Sequence, residues 1–138
     1  MKKIGFIGAG NMAGAIIGGI IKSNLVESQN VIASAKTMTN LNKLKDEYNI
    51  NVTLDAREVV KNSDIVFMAV KPNIFDGVLE SVKDLIGDEK IVVSIAAGKS
   101  ISSMENIIGD DKKIIRTMPN TPALVNEGMS ALCPNKNI

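Results

Sequence analysis

The chain contains no histidine, no tryptophan, one cysteine and only four aromatic residues. Without histidine it cannot form histidine-ligated zinc sites, Ser-His triads or imidazole acid–base pairs from its own residues. The lone Cys133 rules out a disulfide framework and is typical of a reducing compartment, so we expect a cytoplasmic protein. So few aromatic rings provide no platform on which nucleic-acid bases could stack.

The chain also has no large excess of basic or acidic residues. Sixteen basic and fifteen acidic residues give a net charge of +1, and no basic run exceeds two residues. Proteins that bind nucleic acid through their charge need a concentrated basic face, so we expect no nucleic-acid partner. The hydrophobic fraction of 45% suffices for one core, and we expect a single domain over residues 1–138.

The longest uncharged stretch covers residues 4–21, directly after two lysines. By charge alone it could be a secretory signal, and its length approaches the roughly 18 to 20 apolar residues of a membrane span. It contains six glycines, however, and each glycine costs a helix about 1 kcal/mol relative to alanine. A strand, a glycine turn and a helix account for the stretch better, so we expect no membrane association.

Strand-like and helix-like segments alternate along the chain. We predict strands at 3–7, 31–34, 51–53, 65–70, 91–97, 114–118 and 129–132. We predict helices at 11–22, through Leu41, Leu44 and Tyr48, after Asp55, after Pro72 through Ile86, and at 102–108. Asp55 with Glu58, and Ser102 with Glu105, have the spacing of capping boxes. This alternation predicts an α/β fold with a doubly wound, mostly parallel sheet of the Rossmann-like type, in a single domain.

The first predicted turn reads Gly8-Ala9-Gly10-Asn11-Met12-Ala13, which is the G-x-G-x-x-[GA] pattern of dinucleotide-binding folds. Gly8 allows a tight turn, Gly10 lets backbone approach a pyrophosphate, and Ala13 lets the helix lie close to the sheet. Unpaired N–H groups and the positive dipole end of the helix then face the phosphates. We interpret the turn as a nucleotide cradle, with a purely structural glycine turn as the alternative.

The end of the second predicted strand bears on the choice of nucleotide. NAD-dependent folds usually place an acidic residue there, about 20 residues past the glycines, to hold the ribose hydroxyls. This chain has no acidic residue between Glu27 and Asp46 and instead carries Ser34, Lys36 and Thr37. Since Lys36 can offset the charge of a 2′-phosphate, the pattern favours NADP(H) and leaves NAD(H) possible. The alternative is that Lys36 is a solvated loop residue.

Three later strand ends carry distinctive segments. They read Ala69-Val70-Lys71-Pro72-Asn73, Ser94-Ile95-Ala96-Ala97-Gly98 and Arg116-Thr117-Met118-Pro119-Asn120-Thr121-Pro122, the last followed by Glu127-Gly128. Ligands of doubly wound sheets bind beyond the carboxyl ends of the strands, so these loops should converge on one groove. Together with residues 6–12, these segments resemble pyrroline-5-carboxylate reductase, in the same order and over essentially the whole chain.

The resemblance implies a reaction in which hydride passes from a nicotinamide to the C=N carbon of Δ1-pyrroline-5-carboxylate and gives L-proline. It implies no metal ion, and it assigns no catalytic residue within this chain. The cofactor-binding residues that it implies are Gly8, Gly10, Asn11 and Met12 at the pyrophosphate, Ser34 and Lys36 at the adenosine end, Ala69, Val70, Lys71, Pro72, Ala96, Ala97 and Gly98 along the nicotinamide half, and Asn120 near the ring.

Reductases of this family continue with a helical domain that dimerises and supplies most contacts to the substrate. That domain is absent from this chain, so we expect residues 1–138 to be the cofactor-binding half and to have little activity alone. The full-length protein is expected to be a homo-oligomer. The chain also has Ala56 where family members often carry asparagine, which puts one cofactor hydrogen bond in doubt.

Two other functions stay open at this point. The chain could be a non-catalytic dinucleotide-binding module, or another oxidoreductase of the β-hydroxyacid-dehydrogenase-like or F420-linked kind that shares the glycine turn. The segment Met118-Pro119-Asn120-Thr121-Pro122 argues against the second of these, because such relatives are not expected to carry it. Cys133 is expected to be a packing residue rather than a nucleophile, because no histidine is present to activate it.

Overall fold

The computed structural model of the protein describes residues 2–95, 100–118, 131–135 and 137. Within them the strands are β1 (Ile4–Ile7), β2 (Val31–Ser34), β3 (Asn51–Thr53), β4 (Ile65–Met68), β5 (Ile91–Ser94), β6 (Lys113–Met118) and β7 (Ala131–Pro134). The helices are α1 (Asn11–Lys22), α2 (Met38–Tyr48), α3 (Ala56–Lys61), α4 (Pro72–Val82) and α5 (Ile101–Ile108). Short 3₁₀ turns lie at Ser28–Asn30 and Lys83–Leu85.

The strands form one sheet in the order β3-β2-β1-β4-β5-β6-β7. All pairs from β3 to β6 are parallel, and β7 alone runs antiparallel to β6. Because the chain starts at the centre, builds outward to β3 and then crosses to β4, the order reverses between β1 and β4. The predicted fold class, α/β with a doubly wound and mostly parallel sheet, is confirmed.

Helices cover both faces of this sheet. One apolar cluster joins α1 and α2 to the face that carries Phe6, and a second joins α3, α4 and α5 to the face that carries Ile7 and Met68. Phe6 and Phe67 stack on neighbouring strands with ring centroids 4.7 Å apart and planes 11° apart. Phe6 is fully buried and Phe67 partly buried, and burial of a phenylalanine of this kind stabilises a fold by about 1.5 to 3 kcal/mol.

Polar contacts join elements that are distant in the chain. The Arg57 guanidinium donates to both carboxylate oxygens of Asp84, at 2.8 and 2.9 Å, and to the carbonyl of Ser81 at 2.8 Å. This pairing holds the pKa of the Asp84 carboxyl below its usual value.

At the end of β7, the backbone N–H of Asn135 donates to the carbonyl of Ile114 at 2.9 Å and holds that strand against β6.

The predicted strands match in number and order, with differences at their ends. β4 stops at Met68 instead of residue 70, because the chain turns there toward Pro72, whose fixed φ suits the first residue of α4. β5 stops at Ser94, so the prediction was wrong at Ile95, while residues 96 and 97 of the predicted strand lie outside the described residues. β7 spans Ala131–Pro134 and so continues two residues beyond the predicted end at Leu132, while residues 129 and 130 of the prediction lie outside the described residues.

The predicted helix starts are right in one case and wrong in another. Asp55 does precede α3, and its carboxylate accepts from the Arg57 amide at 2.9 Å, although Glu58 accepts from the Thr53 hydroxyl instead of closing a capping box. The prediction that Ser102 caps α5 was wrong, because the capping residue is Ser100, whose hydroxyl accepts from the Ser103 amide, and the helix begins at Ile101. Helix α4 ends at Val82 and continues only as the 3₁₀ turn.

The packing of α1 against α2 gives a test of the fold. A Cβ atom on Gly18 of α1 would lie 2.6 Å from the Tyr48 hydroxyl, whereas a Cβ on Gly77 of α4 would meet nothing within 4 Å. We expect Gly77→Ala to raise the free energy of unfolding by about 0.8 kcal/mol, the gain in helix propensity. Gly18→Ala should gain nothing or lose stability because Tyr48 must move. Urea unfolding compares the two, and equal gains would contradict this packing.

Candidate functional site

The carboxyl ends of the central strands lie level along one edge of the sheet. Ile7 pairs with both Ser34 and Met68, Ser34 pairs with Thr53, and Met68 pairs with Ser94. The loops that follow these strands therefore leave the sheet side by side. This edge includes the point between β1 and β4 where the strand order reverses, which is the usual position of a ligand in such folds.

The turn after β1 is held tightly between its two neighbours. Gly8 has φ 110°, a conformation that residues with a Cβ rarely adopt. Its N–H donates to the Ser34 carbonyl of β2 at 2.8 Å, and a Cβ on it would collide with the Ala69 carbonyl that follows β4. The first glycine of the pattern is therefore required by the backbone itself.

The second glycine faces open space. Gly10 caps α1, and a Cβ added to it would meet no atom within 4 Å. Ala13 is buried against the sheet, as the close approach of α1 requires. The first turn of α1 contains no acidic residue, so its unpaired N–H groups can accept an anion without competition. The geometry thus fits the three roles predicted for the pattern, with room for phosphate beside Gly10.

A cavity of about 510 Å³ opens beside this turn. It lies between the loops that follow β1, β2, β3 and β4 and the first turns of α4. The residues that line it are Ile7, Gly8, Gly10, Ser34, Ala35, Lys36, Leu54, Ala56, Ala69, Val70, Lys71, Asn73, Ile74 and Val78. Its volume is in the range of small-molecule and cofactor sites, about 300 to 1,000 Å³.

Most of the predicted binding residues that the structure describes meet in this cavity. The set comprises Gly8, Gly10, Ser34, Lys36, Ala69, Val70 and Lys71. Three others lie next to it without lining it. Asn11 lies in a smaller groove between α1 and α2 that also reaches Gly10, Met12 is in the first turn of α1, and Pro72 is the exposed first residue of α4. Ala96, Ala97, Gly98 and Asn120 lie outside the described residues.

The structure adds residues that sequence reasoning missed. Leu54 was not among the predicted site residues. It directly follows the end of β3, and residues that follow parallel strands of one sheet are expected near the ligand, so its position in the sequence could have indicated it. Ile74 and Val78 were missed for another reason, because apolar residues of a helix are usually expected to pack in the core, and Val78 does pack against it. One stripe can both pack on the sheet and form the wall of a cleft, and only the fold separates the two.

The charge of the cavity suits an anionic ligand. Lys36 and Lys71 lie on its rim, and among the described residues that line it none is acidic. Ser34, which also lines the cavity, is buried at the end of β2. The remaining lining is largely apolar, which suits a ring system next to phosphate groups. A pyridine dinucleotide with a 2′-phosphate has that chemistry, so the residues present fit NADP(H).

The described residues also bear on membrane-spanning helices and on metal sites. In the part of the chain that the structure describes, no helix has the length and apolar character needed to cross a bilayer. The stretch at residues 4–21 forms β1, the glycine turn and most of α1, as predicted. The described residues also contain no group of three or more His, Cys, Asp or Glu side chains placed to hold a metal ion.

The two glycines of the turn should respond differently to substitution. Gly10→Val should abolish NADPH binding while the fold stays intact, because its side chain would occupy the open space beside α1. Gly8→Ala should instead destabilise the domain by about 1 to 3 kcal/mol, the scale of a strained backbone conformation. Calorimetric titration and thermal unfolding of both variants test this. Normal NADPH binding by Gly10→Val would contradict the cradle.

Comparison with known proteins agrees with this geometry. Residues 3–98 match the family described as NADP oxidoreductase coenzyme F420-dependent. The chain is 45% identical over 134 residues to the pyrroline-5-carboxylate reductase of Escherichia coli, which covers 97% of this chain and 50% of that protein. The chain thus spans about half the length of the curated relatives that it matches.

Solved structures give the same picture. The pyrroline-5-carboxylate reductase from Coxiella burnetii superposes with a TM-score of 0.95 at 32% identity, over 99% of this chain and 51% of that one. The Plasmodium falciparum pyrroline carboxylate reductase, solved with NADP bound, superposes with a TM-score of 0.87 at 34% identity, over 99% of this chain and 49% of that one. The predicted resemblance is confirmed: the chain belongs to the NADP oxidoreductase family described as coenzyme F420-dependent, and it is similar to pyrroline-5-carboxylate reductases over about half of their length.

Proposed function

We propose that this chain is the NADP(H)-binding half of a pyrroline-5-carboxylate reductase, which reduces Δ1-pyrroline-5-carboxylate to L-proline. The observation that carries the proposal is the 45% identity with the Escherichia coli reductase across 97% of this chain. The cavity at the reversal of strand order supports it, since it presents a glycine turn, two lysines and apolar walls to one ligand. Reduction of the imine is the activity proposed for the whole protein.

The proposal includes a division of labour along the protein. Residues 1–138 form the dinucleotide-binding domain, and the contacts to the substrate carboxylate and between subunits come from a helical domain in the rest of the whole protein. The support is that the chain spans about half of the relatives that it matches. On this proposal the whole protein is a cytoplasmic homo-oligomer, and the isolated chain binds cofactor without efficient turnover.

Each part of the cavity has a role in this proposal. The start of α1, from Gly8 to Met12, binds the pyrophosphate through backbone N–H groups. Ser34 and Lys36 bind the 2′-phosphate of the adenosine ribose. Residues 69–72 lead toward the nicotinamide half, to which Ala96, Ala97, Gly98 and Asn120 are also assigned by the family resemblance.

The chemistry follows from what these residues can and cannot do. NADPH held in the cavity would supply the hydride for the carbon of the C=N bond and become NADP⁺, and the nitrogen of the pyrroline ring would need one proton. The chain has no histidine, and none of its described residues is assigned as the proton donor. Its contribution is to hold the cofactor in one orientation, and orientation alone supplies a large part of the rate in such reactions.

The charge on Lys36 should decide between the two cofactors. Lys36→Met should weaken NADPH binding about tenfold, the scale of one charge-assisted hydrogen bond of about 1.5 kcal/mol, and leave NADH binding unchanged. Lys22→Met is the matched control, because Lys22 ends α1 about 17 Å from the glycine turn. Calorimetry is the suitable method, since the chain has no tryptophan. An equal loss for both cofactors would contradict the role of Lys36.

The reaction itself is tested by completing the protein. Residues 1–138 fused to the remaining half of the Escherichia coli reductase should reduce Δ1-pyrroline-5-carboxylate with NADPH, and the same fusion with Gly10→Val should not. Proline formation and NADPH oxidation are the measurements. A fusion that folds and binds NADPH but does not reduce the imine would contradict the proposal and favour a non-catalytic module. The family description motivates one further assay, NADP reduction by reduced coenzyme F420.

A further inference from the structure

Leu54 is an unusual surface residue. It exposes 57% of its surface although it is a large apolar side chain, and it lines the cavity. Only two other large apolar residues of the described segments are comparably exposed, Leu25 at 74% and Met38 at 38%. Neither of these lines the cavity. Exposure of a single leucine is common, so its position within a ligand-sized cavity is what calls for an explanation.

The loop that carries Leu54 is fixed by its neighbours. The Thr53 hydroxyl donates to the Glu58 carboxylate at 2.9 Å and accepts from the Asp55 amide at 3.1 Å. The Asp55 carboxylate in turn accepts from the Arg57 amide at 2.9 Å. These three hydrogen bonds hold the backbone on both sides of Leu54. The side chain is therefore presented to the cavity by an ordered turn between β3 and α3.

The position of Leu54 within the sheet indicates which part of a dinucleotide it meets. Thr53 pairs with Ser34, so Leu54 follows the residue that lies beside the end of β2. In dinucleotide-binding folds the end of β2 contacts the adenosine ribose, while the pyrophosphate lies at the end of β1. Leu54 is one strand further from β1 and therefore lies beyond the ribose, on the side of the base.

The lining of the cavity supplies a second apolar surface. Ile74 and Val78 of α4 line it together with Ala56, which begins α3. The polar lining residues Ser34 and Lys36 come from the end of β2 and the loop after it. A flat, weakly polar ring joined to a phosphorylated ribose matches this arrangement of apolar walls and a charged corner.

We propose that Leu54 is a binding residue for the adenine ring, which it covers from the solvent side of the cavity. The proposal rests on the proposed function, because it needs the cavity to bind a pyridine dinucleotide. Adenine is common to NADPH and NADH, so this contact contributes equally to both. It differs in that respect from Lys36, whose contribution depends on the 2′-phosphate.

The experiment compares two exposed leucines in the 138-residue chain. Leu54→Ser should weaken the binding of NADPH, NADH and adenosine 2′,5′-bisphosphate by the same factor, about fivefold, which corresponds to partial burial of one leucine side chain. Leu25→Ser, the matched control, should leave all three affinities unchanged. Leu54→Phe should keep or increase them, because a larger apolar surface replaces the leucine. Calorimetry gives the affinities, and thermal unfolding confirms that the variants are folded.

The outcomes separate this proposal from the proposed function. If the unsubstituted chain binds none of the three ligands, the proposed function and this contact both fail. If it binds them and Leu54→Ser behaves like Leu25→Ser, only the role of Leu54 is wrong. A loss confined to NADPH and NADH, with normal binding of adenosine 2′,5′-bisphosphate, would move Leu54 to the nicotinamide half and also overturn the proposal.

Discussion

The backbone around Gly8 is the constraint on which the rest of the structure depends. The Gly8 N–H donates a hydrogen bond to the Ser34 carbonyl at the end of β2, and the absence of a Cβ on Gly8 leaves room for the carbonyl of Ala69, which follows β4. The Ala69 amide in turn donates to the carbonyl of Ile7 at 2.8 Å. Three strand ends are thus joined where the order of the sheet reverses. The direction in which α1 leaves, and so the opening of the cavity, follows from that junction.

This constraint explains why the site consists largely of backbone and apolar groups. A pyrophosphate can be bound by N–H groups at the start of α1 without any charged side chain. Lys36 and Lys71 are then free to add selectivity at the rim, and the apolar walls that include Leu54 and Val78 can enclose a ring. On the proposals above, the backbone of the turn and the Leu54 side chain bind groups that NADPH and NADH share, whereas the charge of Lys36 discriminates between the two cofactors.

Much of the fold was predictable because buried parallel strands appear in the sequence as continuous apolar runs. The glycine turn was predictable for a different reason, since its pattern encodes a backbone conformation directly. The start of α5 was not, because Ser100 and Ser102 are both competent caps and only the tertiary structure selects the first. The cavity wall formed by Ile74 and Val78 was not predictable either, because an apolar helix stripe has the same period whether it packs on a sheet or borders a cleft.

The extent of the family match supports the proposed separation of cofactor binding from substrate binding along the protein. The matched segment, residues 3–98, contains every residue that lines the cavity, from Ile7 to Val78. Residues 118–122, one of the segments on which the predicted resemblance to pyrroline-5-carboxylate reductases rests, lie beyond it. A family defined by what its members share is expected to share cofactor binding, whereas substrates differ from member to member. Family membership therefore supports cofactor binding by the first part of this chain, whereas the proposed imine substrate rests on the identity with pyrroline-5-carboxylate reductases.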